Sequence, residues 1–211
     1  ARAKEVAAAL EAEEAEADKN ARKTKAKEKQ EQQREEEDAA PTRAVYVAAA
    51  ERMDQAEVDQ IYSAAMARAP PFLQAVERGD VTEARRLLRE DPDNARLVEE
   101  VTGYTALMIA ASLGDEEMMR LLLDAPGTAV NHADALGITA LIEASDKGHE
   151  ACVKLLLAAP DIDVNHANIN GETALMIAAG RGHHPIARLL LTAPTIDITL
   201  RDEAGNTARD L

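Results

Sequence analysis

From residue 103 onward the chain writes one pattern of apolar and polar positions three times. Residues 103–126 read GYTALMIAASLGDEEMMRLLLDAP, residues 137–160 read GITALIEASDKGHEACVKLLLAAP, and residues 171–194 read GETALMIAAGRGHHPIARLLLTAP. Gly103, Gly137, Gly171 and Gly205 fall 34 residues apart. A fixed period in this range predicts an array of small stacked units rather than one enclosed core. In residues 134–167, Thr139 is placed to cap a short helix in which Leu141, Ile142, Ala144 and Ser145 form a narrow face. Gly148 is placed to end that helix. A second helix carries Cys152, Val153, Leu155, Leu156 and Leu157, and Pro160 stands just past its end. The polar run DIDVNHANING then leads out to the next unit. Neither helix is long enough to persist alone, so stacking must supply the stability.

Upstream the pattern loosens. PFLQAVERGDVTEARRLLREDPDNARLVEE reads as a degenerate first unit over 71–99, with Asp80 and Glu83 as a capping box and Leu87 and Leu88 matching Leu122 and Leu123. Units of 100–133, 134–167 and 168–201 follow, and a further one over 202–211 stops partway. Between Pro41 and Pro70, residues Val47, Ala50, Val58, Ile61, Tyr62, Ala65 and Met66 fall near helical spacing. An amphipathic helical cap over 41–70, shielding the end of the array, is expected there; a separate partner-binding helix is the alternative. Residues 1–40 hold 12 Ala and 21 charged residues. After Val6 and Leu10 they lack the large apolar residues that coiled-coil a and d positions need. They are expected to form a charged helical or disordered arm.

Charge narrows the partners. The formal net charge is −15, with residues 101–211 alone contributing 7 − 15 = −8. No segment is basic enough to follow a row of phosphates, so nucleic-acid binding and attachment to an anionic membrane are disfavoured. No apolar run reaches the roughly 18 residues of a membrane helix. Aromatic residues are only Phe72, Tyr46, Tyr62 and Tyr104, which suits many small Ala- and Leu-lined interfaces. The lone Cys152 allows no intrachain disulfide and suggests a reducing compartment, cytoplasmic or nuclear. With no initiator Met and a C-terminus inside a unit, a fragment or processed chain is expected.

Catalytic constellations are not found. His132, His149, His166, His183 and His184 do not converge; His132 and His166 sit one unit apart, about one helix-packing distance of 8–10 Å, too far to share a zinc ion. Cys152 reads as a small core residue. No phosphate-binding glycine loop or serine nucleophile elbow appears. Glu143 stands where the neighbouring units carry Ile109 and Ile177, and Lys147 four residues on offers it an ion pair. A ligand-facing role for Glu143 is the other reading. No cofactor and no metal site are expected.

DALGITALIEASDKGHEACVKLLLAAPDIDVN and NINGETALMIAAGRGHHPIARLLLTAPTIDIT resemble ankyrin repeats, whose pattern runs D-x-x-G-x-T-P-L-H-x-A-A-x-x-G-H, a Leu-rich helix, then G-A-D-V-N. The likeness is firm over 100–211 and loose over 71–99. The family's Pro is replaced by Ala106, Ala140 and Ala174, and its first His by Met108, Ile142 and Met176. The family's threonine–histidine hydrogen bond is therefore absent, and apolar packing must stand in for it. The units exceed the usual length of about 33 by one residue, which the APDIDVN-type turn absorbs. The resemblance implies an all-α ankyrin-type helix–turn–helix solenoid with hairpin-like loops, acting without catalysis as a monomeric protein-binding scaffold. It implies contacts from the loop tips, here Val101, Thr102 and Tyr104; Ala135, Leu136 and Ile138; Ile169, Asn170 and Glu172. It implies further contacts from the inner helix at Ser112 and Leu113, Asp146 and Lys147, Gly180 and Arg181. A protein partner with an apolar strip and some basic character fits the acidic surround. A regulatory segment of a larger enzyme or channel is the second reading.

Overall fold

A computed structural model describes residues 55–211. The expectations for 1–40, and for the part of the cap before residue 55, lie outside the described residues. Helix α1 (Gln55–Arg68) leads into four helix pairs: α2 (Pro71–Glu77) with α3 (Val81–Glu90), α4 (Ala106–Leu113) with α5 (Glu116–Leu123), α6 (Ala140–Lys147) with α7 (Glu150–Leu157), and α8 (Ala174–Gly180) with α9 (His184–Leu190). A 3-10 turn at Pro92–Arg96 follows α3. The loose first unit is thus a helix pair like the others. First helices pack on first helices and second helices on second helices, unit upon unit.

Local chemistry repeats with the fold. Thr105, Thr139 and Thr173 each cap a first helix, their side-chain oxygens accepting the N–H of Met108, Ile142 and Met176. Gly148 closes α6 at φ +81°. Asp80 and Asp115 cap α3 and α5 through their carboxylates. The capping box is only half formed, because Glu83 turns away from the Asp80 N–H to hold Arg86 at 2.6 and 2.8 Å. A guanidinium one turn along, donating twice, is a stronger donor to that carboxylate than a backbone N–H.

The core is a continuous layer through the stack. Leu107, Met108, Ile109, Leu122, Leu141, Ile142, Leu156 and Met176 are all fully buried or nearly so. Each large side chain contributes about 1.5–3 kcal/mol by leaving water. Met108, Ile142 and Met176 fill the space beside the threonine caps, as apolar replacements for the missing histidine should. Cys152 is buried in this layer, and its thiol is pushed up to about 11 by burial, with Glu116 and Asp115 adding to the shift. At the other end of the stack, Ala65, Met66 and Ala69 of the α1 region are buried, and Tyr62 donates to Glu77 at 2.6 Å.

Between pairs the chain folds back on itself. Single antiparallel bridges join Val98 to Thr105, Ala133 to Thr139 and Ala167 to Thr173. Asn131 and Asn165 tie these connections across units. The Asn131 amide donates to Asp161 O at 2.7 Å while its Oδ1 accepts from the Asp163 N–H at 2.9 Å. Asn165 does the same with Thr195 O and the Asp197 N–H.

Candidate functional site

The loops and first helices of the last two full units enclose an open groove of about 480 Å³. Ile138, Asn168 and Glu172 reach it from the loops, while α6 and α8 supply its floor. The loops are held by their own side chains. Asp134 Oδ1 accepts the N–H groups of Leu136 and Ile138 at 2.9 and 2.7 Å. Asn168 Oδ1 accepts those of Asn170 and Glu172, both at 2.9 Å. Neighbouring tips are laced together, Ile169 N–H to Leu136 O and Glu203 N–H to Asn170 O, each at 2.9 Å. The thread of backbone bonds makes the loop row a fixed wall rather than separate fingers.

On the floor, Thr139 and Thr173 start their helices in the same register. Ile142, Glu143 and Asp146 of α6 therefore line the groove with Met176 and Ile177 of α8. Arg181 Nε donates to Asp146 Oδ1 at 2.8 Å, and Lys147 Nζ stands 3.7 Å from Asp146 Oδ2. Glu143 is 9 % exposed. Its Oε1 accepts from Ser112 Oγ at 2.8 Å, and the Tyr104 hydroxyl lies 3.5 Å from its Oε2. The expected pair with Lys147 is stretched to 4.0 Å, so the serine of the preceding unit, not the lysine of its own helix, anchors this carboxylate. Burial pushes the Glu143 carboxyl above the usual carboxylate range, with Ser112 and Lys147 pulling partly back.

Glu143→Ile should accordingly raise stability at neutral pH by about 1 kcal/mol, since a buried charge gives way to the residue type of the sister units. The sign with pH follows from the raised value. The folded chain holds the proton more tightly than the unfolded one. The stability that Glu143 contributes is therefore fully present below about pH 4.5 and is lost as pH rises through the folded value, whereas the variant lacks that loss. Thermal melts of both chains from pH 4 to pH 8 measure it; parallel curves would remove the assignment.

The structure distributes the expected contact residues unevenly. Ile138, Asp146, Glu172, Gly180 and Arg181 meet at the groove. Ile169 and Leu113 project outward, 46 % and 47 % exposed. Asn170 and Lys147 are exposed, and Ala135 and Leu136 are half-buried. Val101 and Thr102 are not tips at all, being 5 % and 0 % exposed. The cause is Glu99, 4 % exposed, whose carboxylate gathers the N–H groups of Val101 and Thr102 and the Thr102 hydroxyl at 2.6–3.1 Å and folds that loop inward. Tyr104 is half-buried, its ring set edge-on to Tyr62 with centroids 5.6 Å apart. Ser112 is occupied by Glu143.

Asn168, Ile142, Met176, Ile177 and Leu211 also line the groove, although the repeat pattern does not mark them as contacts. By its place in the repeat the Met108/Ile142/Met176 column is core filler, and only the stacking brings Ile142 and Met176 to the groove. Three of the five histidines are structural bridges: the Nε2 atoms of His149 and His183 lie 3.0 and 3.1 Å from the carbonyl oxygens of Ser112 and Asp146 in the preceding unit, and His132 Nε2 lies 3.1 Å from Gly103 O within its own unit. Among the described residues no group of three or more His, Cys, Asp or Glu side chains could hold a metal ion. Nor is any described helix long and apolar enough to cross a membrane.

A family model described as Ankyrin repeats (3 copies) matches residues 72–168 and 126–202, together more than half of the chain. No curated protein matches it.

Proposed function

The chain belongs to the ankyrin repeat family, whose repeats are generally protein–protein interaction modules, and on that premise we propose that it receives a polypeptide partner along its loop wall and inner-helix floor. The observation that carries this reading is the groove, where loops and first helices of successive units jointly present apolar and charged side chains. Ile169, at a loop tip, and Leu113, at the end of α4, are further apolar side chains left exposed. Neither side chain is buried in the core, so each is available to a partner. An open groove with polar sides suits an extended chain, which brings its own backbone donors and acceptors.

The reading is tested with the double variant Ile169→Asp, Leu113→Asp. Capture of partners by the 211-residue chain should fall at least tenfold, while circular dichroism and the melting midpoint stay unchanged. Loss of one central apolar anchor typically costs about 1–2 kcal/mol or more of binding, and two together account for that fall. Undiminished capture with an intact fold would place the contact surface elsewhere.

A further inference from the structure

The groove holds more acceptor capacity than its own residues use. Asp146 is neutralised by Arg181 and approached by Lys147. Glu172 is different: its described partner is the Asn168 amide at 2.9 Å, and no cation meets it among the described residues. Glu143 Oε1 takes the Ser112 hydroxyl, but its Oε2 has only the long Tyr104 contact, and the nearest ammonium is 4.0 Å away. A carboxylate offers about four lone-pair directions. The fold does not require an acid at position 143, because the same slot is filled by Ile109 and Ile177 in the adjoining units. A charge that the fold does not require there, with acceptor capacity that Ser112 and the long Tyr104 contact leave over, lines an open groove.

We propose that the groove is a subsite for one cationic side chain of the partner, an arginine or lysine, whose charged head meets Glu143 and Glu172 while its methylene stem lies on Ile138, Ile142, Met176 and Ile177. The proposal rests on the scaffold reading above and adds its chemical preference. Long basic side chains divide in this way, apolar stem on apolar wall and charge at the polar end. A neutral guest would leave both carboxylates as they are. An acidic guest would add a third carboxylate beside them, with Arg181 already engaged by Asp146. Since only this unit carries a carboxylate in the slot, the subsite would also fix the register of a partner along otherwise similar repeats.

The test is a methyl-detected NMR titration of the 211-residue chain with three probes: the Nα-acetyl, C-methylamide derivatives of arginine, lysine and norleucine. Arginine or lysine should give saturable shifts at Ile138, Ile142, Met176 and Ile177, with norleucine binding at least fivefold more weakly. Glu143→Gln keeps an acceptor for Ser112 and should remove most of that difference. Glu172→Gln, on the groove rim, should reduce it without touching the buried position. Equal binding of norleucine, or cation shifts that spread over the acidic surface without saturating, would overturn the subsite. Partner capture sensitive to Ile169→Asp, Leu113→Asp but indifferent to Glu143→Gln and Glu172→Gln would overturn the subsite and leave the scaffold reading standing.

Discussion

Glu99→Ala is expected to lower stability by about 3–5 kcal/mol, more than any surface acid should. The carboxylate accepts two backbone N–H groups and one hydroxyl within a loop whose Val101 and Thr102 are buried. Removing it strands those donors away from water, at about 1–3 kcal/mol for each that finds no substitute. Glu99→Gln retains one acceptor oxygen and should lose only about 1–2 kcal/mol. The exposed neighbour makes the control: Glu100→Ala should change stability by less than about 0.5 kcal/mol. Chemical denaturation followed by circular dichroism reads all three. Equal effects at 99 and 100 would show that the inward loop is not held by this side chain.

Gly137→Ala should cost about 2–4 kcal/mol, and Gly182→Ala only about 1–2 kcal/mol, although both residues sit at nearly the same positive φ, +74° and +75°. Each substitution carries the left-handed penalty of about 1–2 kcal/mol. At Gly137 an added Cβ would also lie 2.8 Å from the Asn168 Cα, which belongs to the backbone of the next loop and has no rotamer by which to yield. That crowding adds about 1–3 kcal/mol. At Gly182 nothing stands within 4 Å. Matched melts of the two variants decide the point, and equal losses would mean that the loops are free to part.

The contrast between these glycines shows where reading along the chain stops. Both are marks of one period, and both announce a turn. Which of them is also a point of close approach depends on a neighbour about one unit further on. The loop tips fail for a related reason. Position in the motif puts Val101 and Thr102 beside Leu136 and Ile169, but LVEEVTGYT closes through Glu99 and Tyr104, whereas NHADALGIT closes through Asp134 and Ile138. The first hairpin thus spans one residue more, and its longer acid turns the tip inward. Nothing local in the string distinguishes a carboxylate that caps a loop from one that faces water.

Periodicity, threonine caps, glycine stops and the Leu-rich second helices were enough to assign paired helices in a stack, because these are short-range effects written within each unit. The same regularity identified the repeat family and the column of apolar residues that replaces its histidine. Tertiary contact alone selected Ser112 over Lys147 as the anchor of Glu143, turned His149 and His183 into bridges to the preceding unit, and joined Ile138, Glu172 and Arg181 around one groove. Those outcomes depend on distances between residues roughly one repeat apart or more, and such distances are set by how helix faces and loops nest, which no single repeat encodes.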